Sequence, residues 1–189
     1  MTKNKKVTRR LESTKKYMDA QIEKHSKLLV LRVDLSYKKP YSDEISLEDM
    51  SMHHRLMLNN ARSKPSVYKN MTGYVCKKEY TKDKGPHMHM MVMYNGQKVQ
   101  SATYIADQIG EHWNQITQGK GSYHNCHRNS YEDEGIGMLE RSDTKKRKIL
   151  YEKVIPYLCK EEQSLEPMKN SKKDRAFVRG AISRKKKGE

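Results

Sequence analysis

Long apolar runs are missing from this sequence. None approaches the roughly 18–20 residues that span a bilayer, so no transmembrane segment is expected. The first residues, Met1-Thr-Lys-Asn-Lys-Lys, have no apolar stretch behind them, which argues against a secretory signal. Cysteine is scarce. Cys76, Cys126 and Cys159 are odd in number, far apart and form no CxxC pair. Reduced thiols in a cytoplasm are the simplest reading. There is no internal repeat, no long low-complexity tract and no GxxxxGK[ST] phosphate loop. Hydrophobic residues make up only 34% of the 189, against 33% charged, which predicts one domain with a small core and a wide polar surface. The apolar runs Leu28–Val33 and Met88–Tyr94 are still long enough to argue against disorder.

What is abundant is positive charge, and it is unevenly placed. The net charge is +16, of which residues 1–27 carry +6 and residues 169–189 carry +7. The body between them is nearly neutral. Basic ends suit a phosphate backbone, because each Lys or Arg that neutralises a phosphate releases a counterion. The bland alternative is a pair of solubilising tails.

Residues 8–26 read as a basic helix with Leu11, Met18 and Ile22 on one side. Residues 28–36 read as a buried strand, broken near Pro40. Ser46 and Asp49 resemble a capping box for a helix to about Asn60. Residues 73–80 and 87–94 read as the strands of an antiparallel hairpin, joined by Thr81–Pro86. Residues 100–117 carry Ile105, Ala106, Ile109, Trp113 and Ile116 at helical spacing. Two short strands are expected at 122–127 and 135–139, then a helix capped by Asp143 or Thr144. Pro156 interrupts that helix, which places Tyr157 near the start of a second short one. Residues after Ser171 are expected to be loosely ordered. The order of elements predicts an α+β domain, an antiparallel sheet with helices on one face.

The chemistry concentrates in two places. His87-Met88-His89 lies on a strand, where alternate residues point the same way. Their Cα atoms would lie roughly 6.6 Å apart, within reach of one ion. Glu79, ending the preceding strand, is the candidate third ligand. Two imidazoles and a carboxylate suit Mg²⁺, Mn²⁺ or Zn²⁺. Lys77 and Lys78 make the hairpin basic. In Tyr157-Leu-Cys-Lys160, positions i and i+3 share a helix face and bring a phenol beside an ammonium. A phenol with a pKa near 10 needs such a cation, or a metal-held phosphate, to act as a nucleophile. Tyr151 is a rival nucleophile without a lysine at i+3. His124, Cys126 and His127 are a weaker zinc candidate, with Cys76 the one available fourth ligand.

A strand with HxH followed by a helix with YxxK resembles the HUH endonucleases: rolling-circle replication initiators, relaxases and related transposases. More closely, the chain is similar to the replication protein family of filamentous phages (inoviruses) and related mobile elements. The stretches that carry this are LVLRVDLSY at 29–37, GYVCKKEYTKDKGPHMHMMVMYNG at 73–96, IGEHWNQITQGKGSYHNC at 109–126, YEDEGIGML at 131–139, YLCKEEQ at 157–163 and RAFVRG at 175–180. The resemblance implies a ferredoxin-like or RNA-recognition-type sheet over residues 28–170, between a basic N-terminal helix or tail at 1–27 and a basic C-terminal tail at 171–189. It implies a divalent metal, Mg²⁺ or Mn²⁺, on His87, His89 and Glu79. Tyr157 would attack the scissile phosphate of single-stranded or hairpin DNA at a replication origin, forming a 5′-phosphotyrosine and freeing a 3′-hydroxyl. Lys160 would orient or neutralise the phosphate. Arg32, Lys77, Lys78, Lys82, Lys84, Arg175 and Arg179 are the candidate DNA contacts. A host or phage helicase and polymerase would be the partners, in the cytoplasm of a bacterial host. The competing reading is a non-catalytic nucleic-acid-binding module on the same fold, a repressor or RNA-binding protein. A zinc-stabilised structural protein is the third.

Overall fold

The structure, a computed structural model, describes residues 3–130, 134–160, 165 and 175–181. Helix α1 spans Lys3–Lys24 and leads into strand β1, Lys27–Tyr37. Helix α2, Leu47–Asn59, and a single turn α3, Pro65–Tyr68, precede the hairpin of β2, Met71–Thr81, and β3, Gly85–Asn95. Helix α4, Ala102–Ile116, is followed by β4, Gly121–Asn125, and β5, Gly137–Glu140. Helix α5, Thr144–Ile149, passes through a π-helical segment, Leu150–Val154, into α6, Ile155–Cys159. A last strand, β6, spans Phe177–Arg179. The sheet order is β4-β1-β3-β2-β6, with β5 beside the other end of β1, and every pairing is antiparallel. The α+β architecture is as expected from the sequence.

Local chemistry explains the boundaries. Ser46 Oγ accepts from the Asp49 amide, and the Asp49 carboxylate accepts from the Ser46 amide, so the capping box at α2 is complete. Ser101 caps α4, and Asp143, one of the two candidates, caps α5. Pro156 lacks an N–H, and its ring would meet a carbonyl one turn back in a regular α-helix. The wider winding of Leu150–Val154, closed by the Ile155 amide donating to the Leu150 carbonyl, makes room for it.

Helices cover both faces of the sheet, not one. On one face α2 and α4 place Met50, Met57, Ile109 and Trp113 against Leu29, Leu31, Val33, Met88, Met90 and Val92. On the other, α1, α6 and the π-helical segment place Tyr17, Met18, Leu150, Ile155 and Leu158 against Leu28, Val30, Val75, Met91 and Met93. The cause is in the strands themselves. The unbroken apolar runs of β1 and β3 send hydrophobic side chains to both sides, and each side then needs a cover. A second difference lies at the C-terminal end. Residues 175–180, expected to be loose, extend the sheet, with Phe177 opposite Lys77 and Arg179 opposite Val75. The Lys78 amide donates to the Ala176 carbonyl at 2.7 Å, and the Gly180 amide to the Tyr74 carbonyl at 3.0 Å. Residues 171–174 and 182–189 of the expected tail, and 131–133 and 161–163 of the resembling stretches, lie outside the described residues. Among the described residues, no helix is long and apolar enough to cross a membrane, and all three cysteines are free and buried.

Burial also makes stability sensitive to acid. His54 of α2 is buried and meets Tyr74 edge-on, with ring centroids 5.8 Å apart. Burial, helped by the charge of Lys78, pushes its pKa down to about 4. In the unfolded chain a histidine titrates near 6.5. Between those values only the unfolded state takes up the proton. The stabilisation is therefore complete above pH 6.5 and is lost as pH falls towards 4. At pH 5 the loss from this group should be about 2 kcal/mol. Urea unfolding of the wild type and His54→Leu at pH 7.5 and 5.0 checks it. The variant should lose less stability than the wild type over that interval, and equal losses would refute the assignment.

Candidate metal centre and nucleophile

Strand register assembles the site. Glu79 lies opposite His87, Lys77 opposite His89, and Asp34 opposite His89 on the other side. Alternation along the strands sends all five side chains to the face that α6 covers. The two imidazoles stand with centroids 5.3 Å apart and planes at 89°.

Each imidazole is oriented through its Nδ1. His87 Nδ1 donates to the Gly85 carbonyl at 2.9 Å, which leaves the Nε2 lone pair facing the site. Gly85 itself sits at φ +67, and a Cβ there would come within 2.9 Å of the Ser42 carbonyl oxygen, so only glycine fits this turn. His89 Nδ1 lies 2.7 Å from Asp34 Oδ1. Glu79 Oε2 faces both Nε2 atoms, at 3.0 Å from His89 and 3.6 Å from His87. One ligand atom from each of Glu79, His87 and His89 falls within 4.8 Å of the others. Nitrogen and carboxylate donors, with each imidazole held from behind by a carbonyl or carboxylate, are the donor set of a divalent metal site. These three residues form a group able to hold such an ion. Among the described residues there is no other cluster of this kind.

The electrostatics favour a cation at this point. Burial opposes charge on His89, but the carboxylates of Asp34 and Glu79 outweigh it and hold the imidazole's pKa at about 9. Burial likewise opposes charge on Glu79, and His87, His89 and Lys77 overcome it, keeping the carboxyl well below the usual range. The buried Lys77 ammonium pairs directly with Glu79 Oε1.

Tyr157 stands over this group. It is 45% exposed, and its ring is 6.0 Å from that of His89. The Arg32 guanidinium lies 4.8 Å from the Tyr157 ring centroid and the Lys160 ammonium 5.8 Å from it. Arg32 also reaches Asp34 at 3.3 Å, so a chain of contacts runs from Tyr157 through Arg32 and Asp34 to His89. Glu79, His87, His89, Tyr157, Lys160, Lys77 and Lys84 line one cavity of about 100 Å³.

The other sequence candidates are elsewhere or differently engaged. Lys78 projects to the opposite face, buried, and donates to Ser51 Oγ at 2.6 Å. Lys77 is taken up by Glu79. Lys82 is exposed in the hairpin turn. Arg175 and Arg179 lie at the β6 edge. Tyr151 is held against α1, its hydroxyl donating to Asp19 Oδ1 at 2.6 Å, and does not line the cavity. The zinc candidates do not converge. His127 Nε2 accepts from the Arg32 amide at 3.2 Å and His124 Nε2 meets Asn129 Nδ2 at 3.1 Å.

Asp34 is the residue that sequence reasoning missed. The signal was a lone carboxylate inside the apolar run LLVLRVDLS, two residues from Arg32 and on its face of the strand. Asp34→Asn should weaken Mn²⁺ binding about 10–100-fold, the usual cost of losing a carboxylate behind a metal-ligating histidine. Isothermal titration with MnCl₂ measures this, and unchanged affinity would remove Asp34 from the site.

A family model described as the YagK/YfjJ C-terminal domain matches residues 1–179. That description differs from the filamentous-phage replication proteins that the motifs resemble. No curated protein and no solved structure matches the chain.

Proposed function

This chain belongs to the YagK/YfjJ C-terminal domain family, and from that starting point we propose that it is a metal-dependent, single-strand-specific DNA nickase. In this reading it starts rolling-circle replication of a phage or mobile element, in the manner of the HUH endonucleases. The observation that carries the reading is the meeting of Tyr157 with Glu79, His87 and His89 in one cavity.

The Tyr157 oxygen attacks the scissile phosphorus. The bond from phosphorus to the 3′ oxygen breaks, the 5′ phosphate becomes esterified to Tyr157, and the tyrosine proton is balanced by the one taken up at the released 3′-hydroxyl. Because one phosphoester replaces another, the bond energy is kept, and the released hydroxyl can reverse the step to rejoin the strand. His87, His89 and Glu79 would hold a divalent ion, Mg²⁺ or Mn²⁺, which would supply Lewis-acid polarisation of the phosphate. Arg32 and Lys160 stand against the Tyr157 ring, where their charge favours the attacking phenolate. Asp34 orients His89 through Nδ1.

Incubation with a pool of labelled single-stranded oligonucleotides and MnCl₂, followed by a denaturing gel, tests this directly. The expected result is a protein–DNA band that survives boiling in detergent and is absent with EDTA. DNA binding without any metal-dependent adduct or cleavage, across a pool that includes the element's own origin, would overturn it in favour of a non-catalytic binding module.

A further inference from the structure

A second and larger cavity, of about 850 Å³, opens at the β6 edge of the sheet between α1 and β6. Among the described residues, every charged one lining it is cationic: Lys6, Arg9, Arg10, Arg175 and Arg179. Lys6, Arg9 and Arg10 share one face of α1 by their three- and four-residue spacing. Lys6, Arg9 and Arg175 are exposed. The wall behind them is fixed. Arg179 donates to Ser13 Oγ through Nε at 3.2 Å and Nη2 at 3.0 Å, and lies 5.2 Å from the Tyr17 ring centroid. Arg10 lies 5.6 Å from the half-buried ring of Phe177. Like charges gathered this way repel one another and are relieved by a polyanion. Cations lining a groove that also offers an aromatic ring form the arrangement that holds single-stranded nucleic acid, phosphates on the cations and bases against the ring.

The groove is placed to continue the catalytic cleft. Phe177 pairs with Lys77, and Lys77 pairs with His89, so the three sit side by side on neighbouring strands. At about 4.8 Å between strands, Phe177 lies roughly 10 Å from the metal ligands. The groove and the cleft are therefore separated by one side chain, the buried Lys77.

We infer that this groove binds the single-stranded DNA flanking the scissile phosphate, with backbone phosphates on Lys6, Arg9 and Arg175 and an unpaired base against Phe177. The choice of DNA over other polyanions rests on the nicking reading. The single-stranded form follows from the ring, since a base inside a duplex has no free face to offer it.

Fluorescence anisotropy with a labelled oligothymidylate of about 30 nucleotides, titrated in EDTA at several salt concentrations, reads the groove independently of the metal centre. Lys6→Gln/Arg9→Gln alters two exposed side chains and should fold normally. It should weaken binding about tenfold at low salt, and flatten the slope of log K against log salt by about 1.4. Phe177→Leu should weaken binding about fivefold or more, read without free metal in the assay. Unchanged affinity and slope in Lys6→Gln/Arg9→Gln would overturn the groove. Tighter binding of an equal-length duplex or RNA would overturn its assigned occupant. The covalent adduct is assayed separately on the same proteins. Its absence alongside groove-dependent binding would defeat the nicking reading alone.

Discussion

Tyr157→Phe is expected to abolish the covalent protein–DNA adduct, a loss of roughly 10⁴-fold or more, as for removal of a reacting group, while leaving the fold unchanged. The substitution removes one hydroxyl and keeps the ring. The guanidinium of Arg32 at 4.8 Å and the edge of His89 at 6.0 Å keep their partner. With the side chain 45% exposed, stability should stay within about 0.5 kcal/mol. Tyr151→Phe is the matched control. It should lose about 1 kcal/mol through the broken bond to Asp19, yet form adduct at the wild-type rate. Adduct from Tyr157→Phe together with none from Tyr151→Phe would exchange the two roles.

Replacing both histidines should remove metal binding altogether, with the two single variants separating ligation from structure. His87→Ala and His89→Ala should each weaken Mn²⁺ binding beyond the range of calorimetry, since each deletes one of three ligands. Their stabilities should differ. His87 gives up one hydrogen bond to Gly85, about 1 kcal/mol. His89 stands between the carboxylates of Asp34 and Glu79. Its removal takes a cation from between the buried Glu79 carboxylate and the half-buried Asp34 carboxylate, leaving Arg32, Lys77 and His87 beside them, so a larger loss, about 3 kcal/mol, is expected. Calorimetric titration and urea unfolding of the same preparations give both numbers. Undiminished Mn²⁺ affinity in the double variant would move the metal off this hairpin.

Much of this site could be read directly from residue order, because strands and helices have short, fixed periods. Alternation alone places His87, His89 and Glu79 on one face, and helical spacing places Lys160 beside Tyr157. The same alternation separates Lys77 from Lys78, and reading the pair as one basic patch overlooked it. Asp34 and Arg32 were equally accessible, since polar residues inside a buried strand require a partner. The two-sided covering of the sheet was implied by unbroken apolar runs in β1 and β3. Other features depend on distant parts of the chain. Strand β6 has three residues and meets β2 across roughly a hundred positions, a pairing that no local pattern specifies. The groove between β6 and α1 joins the two ends of the sequence, each of which, taken alone, is only a basic stretch.

The π-helical segment before α6 has a consequence for how the nucleophile is aimed. Each residue of an α-helix advances the chain about 100° around the axis. One i→i+5 turn holds an extra residue, so everything after Leu150–Val154 is rotated by about that angle relative to a regular helix. The direction of the Tyr157 side chain is thus a matter of phase, set by how many residues lie between Asp143 and Pro156 and by the wider turn that accommodates the Pro156 ring. α-Helical winding over the same number of residues would turn the phenol away from the histidines, whereas deleting one residue there would keep its direction but close the turn that makes room for the Pro156 ring.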